Sequence, residues 1–250
     1  MKSDSQILTK IFTPLVIITI VSAILLSLYI TNQTKKNIIS NSTVYALNTI
    51  KQYKMLRQYY TKYVIEKIPP SMNIDYIHKN LNNTLPLPAT MLKDLSVLLG
   101  QDKNGTQINL YSSYPFPSSE NRKLDDFSKR ALIKFKDNKQ KDIIEITTRN
   151  NKKVLRVATP DYMTQNTCVN CHNTREDSPK KDWKLGDIRG ILEVIIPINK
   201  ELELAQSLNI QIIILILFLV NMILLVLYFY FKKNILKPYK HLYDERKKFY

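Results

Sequence analysis

Cys168-Val169-Asn170-Cys171-His172 (CVNCH) is the stretch from which the chain is read, because it dictates what kind of domain must surround it. Cys-x-x-Cys-His is the attachment pattern for c-type haem. Each thiol adds across one vinyl group, and the adjoining histidine is held against the iron as proximal ligand. The chain's 2 cysteines both lie inside the motif, so no thiol remains for a structural disulfide or a four-thiolate zinc site. Two other readings stand beside haem. A redox dithiol usually sits where a strand meets a helix in a βαβ unit, whereas the flank here, DYMTQNTCVNCHNTREDSPKKDW, is polar and loop-like. A tetrahedral zinc site would need a further good ligand beyond Cys168, Cys171 and His172.

Outward from the motif, two uncharged apolar runs bracket the chain. Ile11–Ile30 reads IFTPLVIITIVSAILLSLYI and Ile210–Phe231 reads IQIIILILFLVNMILLVLYFYF. At 1.5 Å per residue each gives about 30 Å of helix, the thickness of a bilayer core. The first run is longer than a signal-peptide core and lacks a small-x-small site, so it reads as an uncleaved anchor. The second carries aliphatic residues on every face, with Tyr228 and Tyr230 placed for an interfacial belt. Flanking charge sets the orientation. Lysines tie around the first run, but Lys232, Lys233, Lys237, Lys240, Arg246, Lys247 and Lys248 follow the second. The positive side stays in the cytoplasm. Both termini are therefore expected in the cytoplasm, with residues 32–209 outside it. That places the motif on the face of a bacterial inner membrane where c-type haem is attached.

A net charge of +16 raises the question of nucleic acid. The chain shows no zinc-finger spacing, helix-turn-helix or RNA-binding aromatic motif, and membrane-flanking lysines in a Lys-rich background account for the charge. Membrane lipid, not nucleic acid, is the expected contact. No catalytic constellation is read, and the chain is not expected to be an enzyme.

Taken in order, the expectation is a cytoplasmic head (1–10), a first span (11–30), and an extracytoplasmic helix (31–68) stopped by Pro69-Pro70. A haem domain (69–200), a connecting helix (201–209), a second span (210–231) and a basic tail (232–250) follow. Within the domain, 70–85 reads as irregular loop and Leu85–Gly100 carries a short helix. A turn at Asn104-Gly105 precedes a strand over Gln107–Ser112. Leu124–Phe135 is a helix. Ile143–Thr148 and Lys153–Ala158 are strands about a turn at Asn150-Asn151. Gly190–Ile198 is the last strand, and Asn199–Leu208 turns helical into the second run. This predicts an α+β fold, a small antiparallel sheet with helices on one side.

The region from about Tyr59 to Pro197 resembles the family of PAS-like c-type haem sensor domains, which occur in bacterial membrane receptors. The resemblance is carried, in order, by YYTKYV (59–64), LPLPAT (85–90), YSSYPFP (111–117), LDDFSKRAL (124–132), CVNCHN (168–173) and DWKLGDIRGILEVIIP (182–197). It implies a PAS-like antiparallel sheet with flanking helices, held between two transmembrane helices. It also implies one covalent haem c per chain on Cys168 and Cys171, with His172 as proximal ligand. The implied partners are a cytoplasmic kinase, cyclase or chemotaxis module, a second copy in a homodimer, and a diatomic gas or a redox partner. The family's founding example has a cysteine as distal ligand. Here none is spare, so His78, Met55, Met72, Met91 and Met163 are the candidates, with His78 and Met91 first. Lys184 and Arg189 are candidates for pairing with haem propionates, and Trp183 for packing on the porphyrin. ILKP (235–238) resembles the start of a HAMP-like or signalling helix. The alternative function is a membrane-anchored monohaem cytochrome that carries electrons; the second run is then unexplained.

Overall fold

The computed structural model describes residues 2–100, 105–136 and 140–238. Asn104 of the expected turn and most of the basic tail, including His241, lie outside the described residues. The chain divides into two compact units, one within Met1–Asn37 and Glu201–Tyr250, the other Ile38–Lys200.

The described part of the first unit is helical, built from the beginning of one long helix and nearly all of another. Helix α1 (Lys2–Tyr63) takes the expected head, first span and extracytoplasmic helix as one uninterrupted element, Pro14 included. Helix α5 (Asn199–Phe231) likewise takes the connecting helix and second run together, and a π turn over Lys232–Leu236 follows it. Both helices are long and apolar enough to cross a membrane. Ile18, Leu25, Phe218 and Phe229 are each about 60 % exposed, an arrangement suited to hydrocarbon, where apolar side chains need no protein cover. Inside this unit Asn209 Nδ2 donates to Thr31 Oγ1 at 2.6 Å and to Ser27 O at 3.4 Å. Phe12 and Tyr228 meet edge to face with centroids 5.6 Å apart.

The second unit is α+β. Its main sheet has the order β3 (Gln107–Tyr111), β6 (Ile188–Pro197), β5 (Lys152–Tyr162), β4 (Ile143–Arg149), every neighbour antiparallel. The β4–β5 hairpin turns on Asn150 and Asn151, at φ 49° and 60°. Two successive left-handed residues match the right-handed twist of the strands, and Asn is among the few side-chain-bearing residues that tolerate that region. Gly190 is needed for a different reason: a Cβ there would stand 2.7 Å from the Tyr111 carbonyl oxygen.

Helices cover both faces of this sheet, not one as its sequence suggests. On one face α3 (Asp126–Lys136) packs Phe127, Ala131 and Phe135 against Tyr111, Ile143, Ala158 and Ile191. On the other lies the last part of α1. Ala46, Ile50, Tyr53, Arg57 and Thr61, spaced by three and four, form its buried stripe. Lys54 Nζ donates to Thr159 Oγ1 at 2.9 Å and to Pro160 O at 2.8 Å. Strand β5 is therefore buried nearly end to end, and its charges survive burial because they are answered. Arg156, stacked 4.1 Å over the Phe127 ring, is gripped by Glu193 and Asp125.

The 70–85 stretch is not wholly irregular. Strands β1 (Asn73–Asp75) and β2 (Thr84–Pro86) pair in parallel. Three residues are too few to show a period of two, and each pairs with a residue 11 positions further on. Helix α2 (Pro88–Gly100) follows as expected. The motif itself lies on a helix, α4 (Asn166–Thr174), rather than in a loop. Its residues, NTCVNCHNT, are poor helix formers, so the helix is held by its tertiary ties.

Candidate haem-binding site

Those ties fix α4 at several points. Near its start Thr167 Oγ1 donates to the Glu66 carboxylate. At its end the Arg175 backbone N–H donates to Cys171 O at 3.0 Å, while the Arg175 guanidinium reaches Asp177 (2.6 Å) and Asp75 of β1 (3.3 Å). The residue after the motif, Asn173, clamps Trp183. It donates to Trp183 O and accepts from Trp183 N, both at 2.9 Å. Trp183, 5 % exposed, is thereby held edge-on to His172 with centroids 6.1 Å apart. Phe116 meets the same imidazole edge-on at 5.2 Å.

Cys168, Cys171 and His172 all border one cavity of about 790 Å³, toward the upper end of the roughly 300–1,000 Å³ usual for cofactor sites. Ile65, Ile74, Leu87, Leu110, Phe116 and Trp183 give it apolar wall. The two thiols are free, Cys171 the more exposed. Yet enough protein surrounds Cys171 for burial to push its thiol up, with Cys168 and Asp177 adding to the effect. Burial likewise pushes His172 down to about 4, and Arg189, Arg57 and Arg175 reinforce that shift. The imidazole is therefore neutral at neutral pH, and a ring nitrogen keeps its lone pair. Among the described residues no group of three or more His, Cys, Asp and Glu is placed to hold a metal ion. Two thiols, a neutral imidazole, apolar walls and cationic side chains fit a haem.

Behind His172 lies a charge cluster that sequence reading does not find. Asp161, 2 % exposed, accepts from Arg57 Nη1 at 2.8 Å, from Arg57 Nη2, and from Arg189 Nε at 2.9 Å. Burial alone would raise the Asp161 carboxyl; the two guanidiniums overcome it and hold the group well below the usual carboxylate range. All three residues border the cavity. The available signal was an arginine at position 57, on the stripe otherwise formed by Ala46, Ile50 and Tyr53.

The distal candidates are scattered. Met72 borders the cavity. His78 does not line it; its Nε2 pairs with Asp94 at 3.0 Å and its Nδ1 lies 3.3 Å from Tyr76 O. Met91 is absent from the walls as well, Met55 is 57 % exposed, and Met163 is buried with its sulfur 4.0 Å from Arg189. Of the propionate candidates, Lys184 is exposed and off the cavity, and Arg189 is already committed to Asp161.

An α+β domain with a Cys-x-x-Cys-His helix on the wall of a cofactor-sized cavity is the class that this fold and site define. The model of the Tll0287-like family matches residues 26–197, and the chain belongs to that family. The match begins within the first apolar run, well before Tyr59. Among solved structures, that of the cyanobacterial haem protein Tll0287 is similar at 15 % identity and a TM-score of 0.39, covering 60 % of this chain and 91 % of that one. No curated protein matches the sequence.

Proposed function

We propose that the chain is the input module of a membrane-bound sensor, carrying one haem c attached through Cys168 and Cys171 with His172 on the iron. The domain would face the periplasm, with both termini in the cytoplasm. The observation that carries this reading is the convergence of both thiols and the neutral imidazole on one cavity, from a nine-residue helix. When bound, the haem supplies an iron centre that changes redox state or takes a diatomic gas. The chain's own residues do the rest. The edge-on rings of Phe116 and Trp183 fix the plane of the imidazole, and Asn173 fixes Trp183 in turn. Asp161 pairs with both Arg57 and Arg189 beside them.

Signalling would run by chain continuity. The Arg189 side chain borders the cavity, β6 carries it, and β6 passes at Ile198 directly into α5. A kinase, cyclase or chemotaxis module on the cytoplasmic side would read the outcome, in a homodimer. Two haem states count as a signal only if they prefer different arrangements of that helix.

The test is disulfide cross-linking between paired cysteines placed along positions 199–208 of the full-length protein in membranes, with the haem oxidised, reduced, and exposed to NO or CO. A state-dependent pattern supports sensing. An identical pattern in every state would sink it and leave a membrane-anchored electron carrier.

A further inference from the structure

The walls of the cavity carry five basic side chains, and they divide by whether an acid answers them. Arg57 and Arg189 close on Asp161, and Arg175 on Asp75 and Asp177. Lys93 of α2 and Arg122 take part in no ion pair among the described residues. Lys93 Nζ donates to Ser119 Oγ at 2.5 Å. Arg122 donates to Leu110 O at 2.7 Å and to Asn109 Oδ1 at 2.9 Å. Glu120, the acid on the same stretch of wall, is in no ion pair with either.

Lys93 is half-buried, and burial followed by the Arg122 charge pushes its ammonium down. A cation withdrawn from water costs free energy unless a counter-charge meets it. Lys93 has a neutral partner in Ser119, and Arg122, exposed at the cavity edge, has neutral partners in Leu110 O and Asn109, so both cations are open to an anion that arrives with the ligand. The chemistry of a porphyrin says where. Its propionates leave the edge opposite the vinyl groups, hence away from the thiols. Arg175, whose N–H bonds to Cys171 O, and Arg189, whose charge couples to Cys168, stand beside those thiols; Arg175 is met by two carboxylates, and Arg189 shares Asp161 with Arg57. The unanswered cations belong to other elements, α2 and the segment after Phe116.

We propose that Lys93, with Ser119 and Arg122, forms a carboxylate subsite that takes a propionate of the bound haem. The proposal rests on the haem reading above. Its test uses the full-length chain produced without c-haem maturation, titrated with haemin and with haemin dimethyl ester, whose carboxylates are masked. Trp183, the chain's single tryptophan, reports binding by quenching of its fluorescence. A charge-assisted hydrogen bond corresponds to about 10- to 100-fold in affinity. The wild type should prefer haemin over the ester by that factor. Lys93→Met should bring the preference below about 3-fold while leaving ester affinity unchanged, and Lys93→Arg should restore it. Ser119→Ala and Arg122→Gln should each reduce it, giving a second reading if Lys93→Met does not fold. Equal binding of both porphyrins by the wild type, or full preference in Lys93→Met, would overturn the subsite alone. Binding of neither porphyrin by a chain that circular dichroism shows to be folded would overturn the subsite, whereas the haem reading itself falls only if the matured protein carries no covalent haem.

Discussion

Replacing Asp161 by asparagine removes the one carboxylate between two guanidiniums and leaves the shape of the side chain nearly unchanged. Arg57 and Asp161 are 6 % and 2 % exposed, so water cannot substitute for the lost charge. Three charge-assisted contacts disappear or weaken, two from Arg57 and one from Arg189. Breaking a buried pair from one side typically costs about 3–5 kcal/mol. For a domain of this size that lowers Tm by roughly 6–20 °C. The assay is thermal denaturation of the full-length protein in detergent, followed by circular dichroism. Because Arg57 and Asp161 act as a unit, Arg57→Met combined with Asp161→Asn should cost less than the two single losses added, with a coupling of about 1–3 kcal/mol. The pH dependence follows from a carboxyl depressed in the folded state. Its contribution is fully present above the unfolded value, near 3.8, and is lost as pH falls from there toward the folded value. The gap in Tm between wild type and Asp161→Asn should thus be constant from pH 5 to 8 (roughly, by the same linkage) and narrow below about pH 4. A Tm change under about 2 °C, or strictly additive losses, would mean that Asp161 does not hold the two guanidiniums in the folded state.

Other changes should report on single contacts. Gly190→Ala drives a Cβ to 2.7 Å from the Tyr111 carbonyl; overpacking of this kind costs about 1–3 kcal/mol, and amide exchange should speed up along β3. Asn173→Ala removes both hydrogen bonds to the Trp183 backbone. It should red-shift Trp183 emission and cost about 1–3 kcal/mol, whereas Asn173→Asp, which keeps the acceptor, should cost less. Asn209→Leu removes the bonds to Thr31 and Ser27. Between membrane helices that is worth about 0.6–1.7 kcal/mol, and adding Thr31→Val should lower Tm no further.

What could be read from the sequence was whatever depends on neighbours along the chain. The apolar runs, the Asn150-Asn151 hairpin and the start of α5 each carry a local signal. So does the haem motif, because its three side chains sit within five residues. The rest depends on distant partners. Nothing near Asp161 in the sequence announces Arg57, 104 positions away, and nothing in NTCVNCHNT favours a helix until Glu66, Asp75 and Trp183 hold it. His78 and Met91 are metal-binding residue types, but type does not decide location. Asp94 engages His78, and Met72 borders the cavity instead. Helices on both faces of the sheet were hidden for a similar reason. The covering stripe on α1 runs on from a membrane-type helix, and it contains an arginine that reads as exposed until its partner is seen.

Everything proposed for this chain depends on Cys168 and Cys171 holding a haem covalently in this cavity. The direct measurement is haem staining on a denaturing gel, with a reduced-minus-oxidised spectrum, of the full-length protein matured in a periplasm competent for c-haem assembly. One haem per chain should survive denaturation and be lost when both cysteines are changed to alanine. His172→Ala should alter the spectrum with attachment retained. A wild-type protein that matures in that periplasm, folds, and carries no covalent haem would contradict it.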